Sequence, residues 1–405
     1  MPARRESYEK YGDCAVAGYL LLPTIHHKLS RGDAAGAHAA AMEAFAIGER
    51  FRETDLCALA LQLGGRVLIE QGDVIAGTQL LDEAMLIATT EPISELVRGI
   101  VYCAVIGSCS RVFLVDRARE WSDVLDAWCK TQVQLGLFTG TCRVHRAELM
   151  RIGGAWSDAM TEASLVSSTA NVSDIDRAAA SYEEAEIYRL RGDDEQAEVA
   201  YARASEFGAD PQPGLALLRL GHGDIEAAVG AIRRSVESAR TPLGCARYLP
   251  AHIEIMLAAG DRATASAAAL DLTGIAGQFG TPVLRAMAAH ARGLVALSEA
   301  DAHAALFELE EALQIWMALP APCAAAQVRV ALSDAYAALG DTDGARLSSV
   351  RLRSAPSSHW TRAPTLTSFS RWPTRPPACS PIGSCRYCAL SLSARPIGRS
   401  ASSSG

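Results

Sequence analysis

Three basic side chains lie within a four-residue stretch of the sequence, at Arg143, His145 and Arg146. Guanidinium groups are suited to recognise carboxylates and other anions through charge-assisted hydrogen bonds. We therefore predict that these residues form a candidate groove for an acidic peptide or a small effector. The alternative is a solvated helix face on which Arg146 lies near Asp158 or Glu162.

Motifs for the common catalytic chemistries are missing from the chain. There is no Gly-x-x-x-x-Gly-Lys-Ser/Thr loop to hold a nucleotide phosphate, and the whole sequence contains only three lysines. A Gly-x-Ser-x-Gly elbow and a His-Glu-x-x-His helix are also absent. Cys379, Cys385 and Cys388 lie close in sequence, but a structural zinc site needs four ligands. We therefore expect no catalytic residue, no cofactor and no metal, and we predict that the chain is not an enzyme.

The elements that must position the basic cluster are helices arranged in repeats. Gly-Asp pairs separate stretches with helical spacing of small and apolar residues, and successive turns are 31 to 43 residues apart. The turns are Gly32-Asp33, Gly72-Asp73, Gly192-Asp193, Gly223-Asp224, Gly260-Asp261 and Gly340-Asp341, with looser equivalents at Val115-Asp116, Gly153-Gly154 and Ala300-Asp301. A glycine can end one helix in the left-handed conformation and an aspartate can cap the next. The pattern predicts two helices per repeat.

The clearest repeat covers residues 178–211. Its small and aromatic residues resemble the tetratricopeptide repeat in their spacing; they are Ala185, Tyr188, Gly192, Ala197, Tyr201 and Ala204. The resemblance implies an all-α fold, a right-handed superhelical solenoid of tetratricopeptide-like helix pairs, over residues 15–346. In such a solenoid the first helix of each pair lines the groove, and Arg143, His145 and Arg146 fall on a first helix.

The composition of the chain changes after Arg346. From Leu347 to Gly405 there is no Asp, Glu or Lys, whereas these 59 residues include 8 Arg, 15 Ser and 7 Pro. This composition does not favour a packed core. We therefore predict an N-terminal extension at 1–14, a repeat domain at 15–346 and a disordered Arg/Ser/Pro-rich tail at 347–405. The apolar face of the first helix in the last repeat, residues 324–339, would then be exposed to solvent.

The tail carries a second pattern in another reading frame. When permitted codons for residues 378–388 are read from their third base, the string LLTDRELQVLR becomes available, and residues 396–403 allow NREIGEQL. These strings resemble the helix-turn-helix of LuxR-type transcriptional regulators. The hypothesis is a frameshift near codon 347 that removes the DNA-binding domain. The alternative is a genuine disordered tail that binds nucleic acid or a partner by charge.

The combined resemblance implies a function in transcription regulation. In LuxR-type regulators of this kind, helical repeats sense a signal, the terminal domain binds promoters, and an ATPase often lies upstream. The chain would then be the signal-sensing and protein-interaction region of such a regulator, without a working DNA-binding domain as written. The alternative function is a stand-alone tetratricopeptide-like scaffold that binds a peptide or protein partner. In both cases the expected partner is a protein, a peptide or a small effector in the groove.

Charge and apolar content limit the remaining partners. Residues 1–346 carry 30 basic and 46 acidic side chains, a net charge of −16, so we expect DNA binding only if the C-terminal frame is restored. No apolar stretch reaches about 18 residues, and the start of the chain does not resemble a secretory signal. We therefore predict a cytoplasmic protein that does not bind membranes, with reduced cysteines that pack as small apolar residues. These include Cys57, Cys103, Cys109, Cys129, Cys142 and Cys323.

Overall fold

The computed structural model describes residues 14–129, 136–169, 172–319 and 321–353. These residues form helices joined by short turns, and they contain no β-strand. The helices in chain order are α1 (Ala15–Ser30), α2 (Ala34–Phe51), α3 (Thr54–Gln71), α4 (Val74–Thr90), α5 (Glu95–Arg111), α6 (Val115–Cys129), α7 (Gly136–Ile152), α8 (Trp156–Ser168), α9 (Asp174–Arg191), α10 (Asp194–Glu206), α11 (Gly214–Gly221), α12 (Ile225–Ser238), α13 (Pro242–Ala258), α14 (Arg262–Phe279), α15 (Pro282–Ser298), α16 (Ala302–Ala318), α17 (Pro322–Ala338) and α18 (Thr342–Arg353). The predicted all-α fold is confirmed.

The Gly-Asp turns join the two helices of a pair as the sequence predicts. Gly72, between α3 and α4, has a φ of 100°, a left-handed conformation that glycine adopts without a steric penalty. The side chain of Asp73 then accepts a hydrogen bond from the backbone N–H of Ala76 at 3.1 Å and so caps α4. Asp33 and Asp341 cap the helices that follow them in the same way, but Asp193 makes no such bond.

One looser turn lies earlier than predicted. The sequence suggested Val115-Asp116, yet the left-handed residue between α5 and α6 is Phe113, with a φ of 61°, and Val115 already begins α6. An aromatic residue is rarely found in this conformation, so no turn signal marks the position. The turn at Ala300-Asp301 is confirmed, because Ala300 has a φ of 64° and Asp301 accepts from the N–H of Ala304 at 3.0 Å.

Small residues allow the two helices of a pair to pack closely. Ala185 of α9 and Ala197 of α10 are fully buried against each other's helix, and Tyr201 of α10 fills the space beside them. In α3 and α4 the residues at the contact are glycines. A β-carbon on Gly65 would lie 2.6 Å from the carbonyl oxygen of Gly77, so this contact requires glycine on both helices.

The helices belong to two compact units. Of the described residues, those up to Leu149 together with Gly277–Thr281 form unit 1, and Met150–Ala276 together with those from Pro282 onward form unit 2. In unit 1, α1 contacts α3 and α3 contacts α5, so the first helices of consecutive pairs lie side by side. In unit 2, α9, α11 and α13 follow the same order.

The last helix extends beyond the predicted end of the repeats. The composition predicts that the disordered tail starts at Leu347, but α18 continues to Arg353, and no proline interrupts the sequence before Pro356. Arginine and leucine are good helix formers, which the overall composition of the tail concealed. The rest of the predicted tail, residues 354–405, lies outside the described residues, as does most of the predicted N-terminal extension.

The apolar face of α17, the first helix of the last pair, is largely covered. We expected it to be bare, but α18 packs on α17, and Val328 and Leu332 are buried. Among the large apolar side chains of α17 and α18 that the structure describes, Leu339 is 38% and Leu347 is 55% exposed, and both lie toward the end of the pair. Throughout the described ranges, the helices are too short or too polar to cross a membrane.

Candidate partner-binding face

The predicted basic cluster lies on α7, but its members contact different neighbours. Arg143, His145 and Arg146 are all half-buried. Arg146 forms an ion pair with Asp126 of α6, a residue that the sequence did not single out. His145 lies against α5, where a β-carbon on Gly107 would be 3.4 Å from its Nε2, and its Nδ1 is 3.8 Å from a carboxylate oxygen of Glu148. His145 and Arg146 therefore contact different helices, α5 and α6.

A second charged group in unit 1 was not found from the sequence. We call it the first-helix face and define it by His26 of α1, Arg66 and Glu70 of α3, and Arg111 of α5. Arg66 Nε donates to Glu70 Oε1 at 2.8 Å, and Arg111 Nη1 lies 3.6 Å from the same oxygen. The side chains of Arg66, Glu70 and Arg111 are 29%, 27% and 47% exposed, so they are held in place but reachable from solvent.

The first-helix face has more positive than negative charge. Within the described part of the chain, Glu70 is the one carboxylate within 4 Å of either guanidinium group. Partial burial lowers the pKa of Arg111, and the nearby charge of Arg66 lowers it further. The same two causes lower the pKa of His26, while Glu70 acts in the opposite direction. An added carboxylate would relieve this repulsion.

The position of His145 links α7 to this face. Gly107 and Arg111 are four residues apart on α5 and therefore lie on the same side of the helix. Since His145 packs on Gly107, its imidazole sits one helical turn from Arg111. His145 therefore contacts the helix that carries Arg111.

Unit 2 contains a buried ionic cluster whose charges are paired. Arg189 Nη2 donates to Glu186 Oε2 at 2.7 Å, and the Tyr201 hydroxyl donates to the other oxygen of the same carboxylate. Burial alone would raise the pKa of Glu186, but the charge of Arg189 and the hydrogen bonds from Arg189 and Tyr201 outweigh it and hold the pKa at about 2. A β-carbon on Gly214 would overlap both Glu186 and Tyr201. This cluster joins α9, α10 and α11 and has a structural role.

Two neighbouring carboxylates on α9 are compensated in the same way. Arg151 Nε donates to Glu183 at 2.6 Å, and Arg203 forms an ion pair with Glu184. Each of these buried glutamates of α9 is therefore paired with a guanidinium group, which compensates the cost of burying its charge. The contrast with unit 1, where two guanidinium groups face one carboxylate, marks the first-helix face as the better candidate for binding.

The described residues contain no group of three or more His, Cys, Asp and Glu side chains arranged to hold a metal ion. Cys379, Cys385 and Cys388 lie outside the described residues.

No protein-family model matches the chain, and no curated protein matches it in sequence. Solved structures do match. The Rap protein complexed with Competence and Sporulation Factor has a TM-score of 0.58 at 14% identity, over 83% of this chain and 96% of that chain. The Cut9 and Hcn1 hetero-tetramer of the APC/C gives a TM-score of 0.37 at 12% identity, over 86% and 82% of the two chains. The tetratricopeptide domain of P58(IPK) gives 0.22 at 13% identity, over 87% and 99%.

Identity this low establishes the fold and nothing finer. The similarity to the Rap protein extends over nearly the whole of that chain and most of this one. Together with the capped turns and the small residues at the helix contacts, it shows that this chain has a tetratricopeptide-like helical-repeat fold.

Proposed function

We propose that this helical-repeat protein binds an acidic segment of a protein partner on its first-helix face. The observation that carries the proposal is the pair of guanidinium groups, Arg66 and Arg111, that share the single carboxylate of Glu70. The Rap protein of similar fold was captured with the Competence and Sporulation Factor, which supports a binding role for this architecture.

The surrounding charge restricts the kind of partner that fits. The net charge of −16 over residues 1–346 repels a large acidic surface, but this repulsion is screened beyond a Debye length of about 10 Å. A short segment with one or two carboxylates can reach the first-helix face without meeting the rest of the acidic surface. Carboxylates also accept paired hydrogen bonds from arginine, which gives the contact a defined geometry.

The proposal gives the three predicted residues on α7 different roles. His145 lies beside the α5 side that carries Arg111, so it extends the first-helix face. Arg146 pairs with Asp126 of α6, and we assign it to holding α6 and α7 together. Arg143 lies on the same helix and is half-buried, and we keep it as a candidate for the binding groove.

Binding of a labelled acidic peptide tests the proposal. The probe is an eight-residue Glu-rich peptide followed by fluorescence anisotropy, with a Gln-rich peptide of equal length as its neutral counterpart. We expect Arg111→Gln to weaken binding about tenfold, the effect of losing about 1.4 kcal/mol. The matched control is Arg117→Gln on α6, because Arg117 is bound by both carboxylate oxygens of Asp82 at 2.6 Å and lies on a second helix. Equal binding of the two peptides, or an unchanged affinity in the Arg111 variant, would contradict the proposal.

A second candidate function is that of a LuxR-type regulator whose repeats sense a signal, supported by the helix-turn-helix pattern available in the alternative frame of residues 378–403. The test is the nucleotide sequence of the codons from 340 onward. We expect the alternative frame to stay open and to encode the two strings. An early stop codon in that frame would leave the scaffold function alone.

A further inference from the structure

Two cysteine side chains meet where α5 lies against α7. The Sγ atoms of Cys103 and Cys142 are 2.9 Å apart and not bonded, and the residues are 39 positions apart in sequence. Cys103 is half-buried, whereas Cys142 is buried. The contact between Gly107 and His145 lies one turn further along the same two helices, so the two thiols lie in a defined helix seam.

We propose that Cys103 and Cys142 form a reversible disulfide when the protein meets a peroxide. The sulfur atoms need to approach by only about 0.9 Å to reach the length of a disulfide bond. Cysteine pairs that switch between thiol and disulfide are the usual form of disulfide in reducing compartments. The prediction of reduced cysteines describes the resting state of this pair.

The reaction uses one peroxide molecule and both thiols. Peroxide oxidises the more accessible Cys103 thiol to a sulfenic acid, and one oxygen of the peroxide leaves as water. The Cys142 sulfur then attacks the Cys103 sulfur; the S–S bond forms, the S–O bond breaks, and the departing hydroxide takes the Cys142 proton as a second water. Two thiols lose two electrons, which the peroxide accepts.

Two other cysteines that the structure describes in this unit, Cys109 and Cys57, are buried in a different setting. Cys109 is on α5 as well, but it is fully buried, and burial raises the pKa of its thiol to about 12, which removes the reactive thiolate. Cys57 is buried too, and its thiol lies 3.9 Å from the carbonyl oxygen of Phe45, to which it can donate a weak hydrogen bond. These residues serve as controls on the same chain.

The bond would fix the spacing of the two helices that carry Arg111 and His145. Oxidation would then alter binding at the first-helix face, and this consequence, unlike the bond itself, rests on the proposed function. The two ideas are separable, because the bond is detected by mass and the binding by peptide titration.

Peptide mapping of the full chain tests the disulfide. The reduced protein is exposed to hydrogen peroxide, alkylated and digested with trypsin, and we expect a linked pair made of residues 99–111 and 131–143. Because Cys109 shares the first peptide, the Cys109→Ala variant must keep the link. Cys103→Ser and Cys142→Ser must each lose it.

The wild-type protein and the Cys109→Ala variant decide the question even where a serine variant fails to fold. We also expect the oxidised protein to melt about 5–10 °C higher, because the link closes a loop of 39 positions. Absence of the linked pair at a peroxide dose that oxidises other thiols would overturn the proposal. A link that disappears in Cys109→Ala would overturn it as well.

Discussion

Arg66 and Arg111 come from different helix pairs, and their guanidinium groups approach the same atom, Oε1 of Glu70, at 2.8 and 3.6 Å. One carboxylate oxygen cannot satisfy both groups fully, since each guanidinium offers five N–H donors. The first-helix face therefore keeps donor capacity for a ligand, and its internal carboxylate competes with that ligand.

Removing the internal competitor should strengthen binding of acidic ligands. We expect Glu70→Gln to raise the affinity for the Glu-rich peptide by about three- to tenfold, because both guanidinium groups then face the ligand alone. Peptide titration measures the effect. Glu83→Gln on the exposed side of α4 is the control and should change the affinity little. A loss of affinity in the Glu70 variant would show that Glu70 positions the arginines and does not compete.

The contact at Gly214 should tolerate no side chain. We expect Gly214→Ala to lower the free energy of unfolding by about 2–4 kcal/mol, because the new β-carbon overlaps Glu186 and Tyr201, both of which are buried. The free energy of unfolding is measured by urea denaturation, with circular dichroism as the readout. In Gly230→Ala on α12 the new β-carbon would meet Arg234 Nη1 at 3.4 Å, so this control should be neutral or slightly stabilising. Equal effects of the two substitutions would mean that the glycine contact at α11 is not tight.

The buried pair of Glu186 and Arg189 should make stability depend on pH in acid. The folded pKa of Glu186, about 2, lies below its ordinary value of 4.5, so its contribution is present above pH 4.5 and is lost as the pH falls toward 2. We expect Glu186→Gln to cost about 3 kcal/mol at pH 6, with a smaller difference from the wild type as the pH approaches 3. Urea unfolding at several pH values measures this difference. A difference that stays constant from pH 6 to pH 3 would exclude an ionised Glu186.

The protein as written should not select promoter sequences. Residues 1–346 have a net charge of −16, so any DNA contact has to come from the 8 arginines after Arg346. We expect weak binding that falls steeply with salt and does not distinguish sequences, measured by gel shift. A gene with the alternative frame restored is the positive comparison for the regulator hypothesis. Salt-resistant, sequence-selective binding by the present chain would contradict the prediction.

Much of the fold follows from local signals in the sequence. The Gly-Asp turns are determined by local sequence, since a glycine in the left-handed conformation and an aspartate cap act within a few residues. Phe113 was missed because a large aromatic residue gives no signal for that conformation. The end of α18 was misplaced for a different reason, because the composition of 59 residues says little about the first seven of them.

The first-helix face could have been found by counting back from the turns. Glu70 and Arg111 each lie two residues before a left-handed residue, Gly72 and Phe113. If the turn is placed at Val115, Arg111 lies four residues before it, whereas Glu70 lies two residues before its own turn. The two residues then do not occupy equivalent positions, and the sequence gives no sign that they are close. The Arg146 pairing with Asp126 could not be read from the sequence, because it depends on how α6 and α7 lie against each other.

The Gly-Asp turn depends only on residues close to it in sequence, and this affects how a repeat protein can evolve. The cap of α4 is made by Asp73 and Ala76, three residues apart, and needs no partner from another helix pair. A duplicated or deleted pair would therefore bring or remove its own turn and leave its neighbours' turns intact. Recombination can therefore change the number of repeats without disturbing the turns. The arrangement of Arg66 and Arg111 spans two helix pairs, so it is kept only when both pairs stay adjacent.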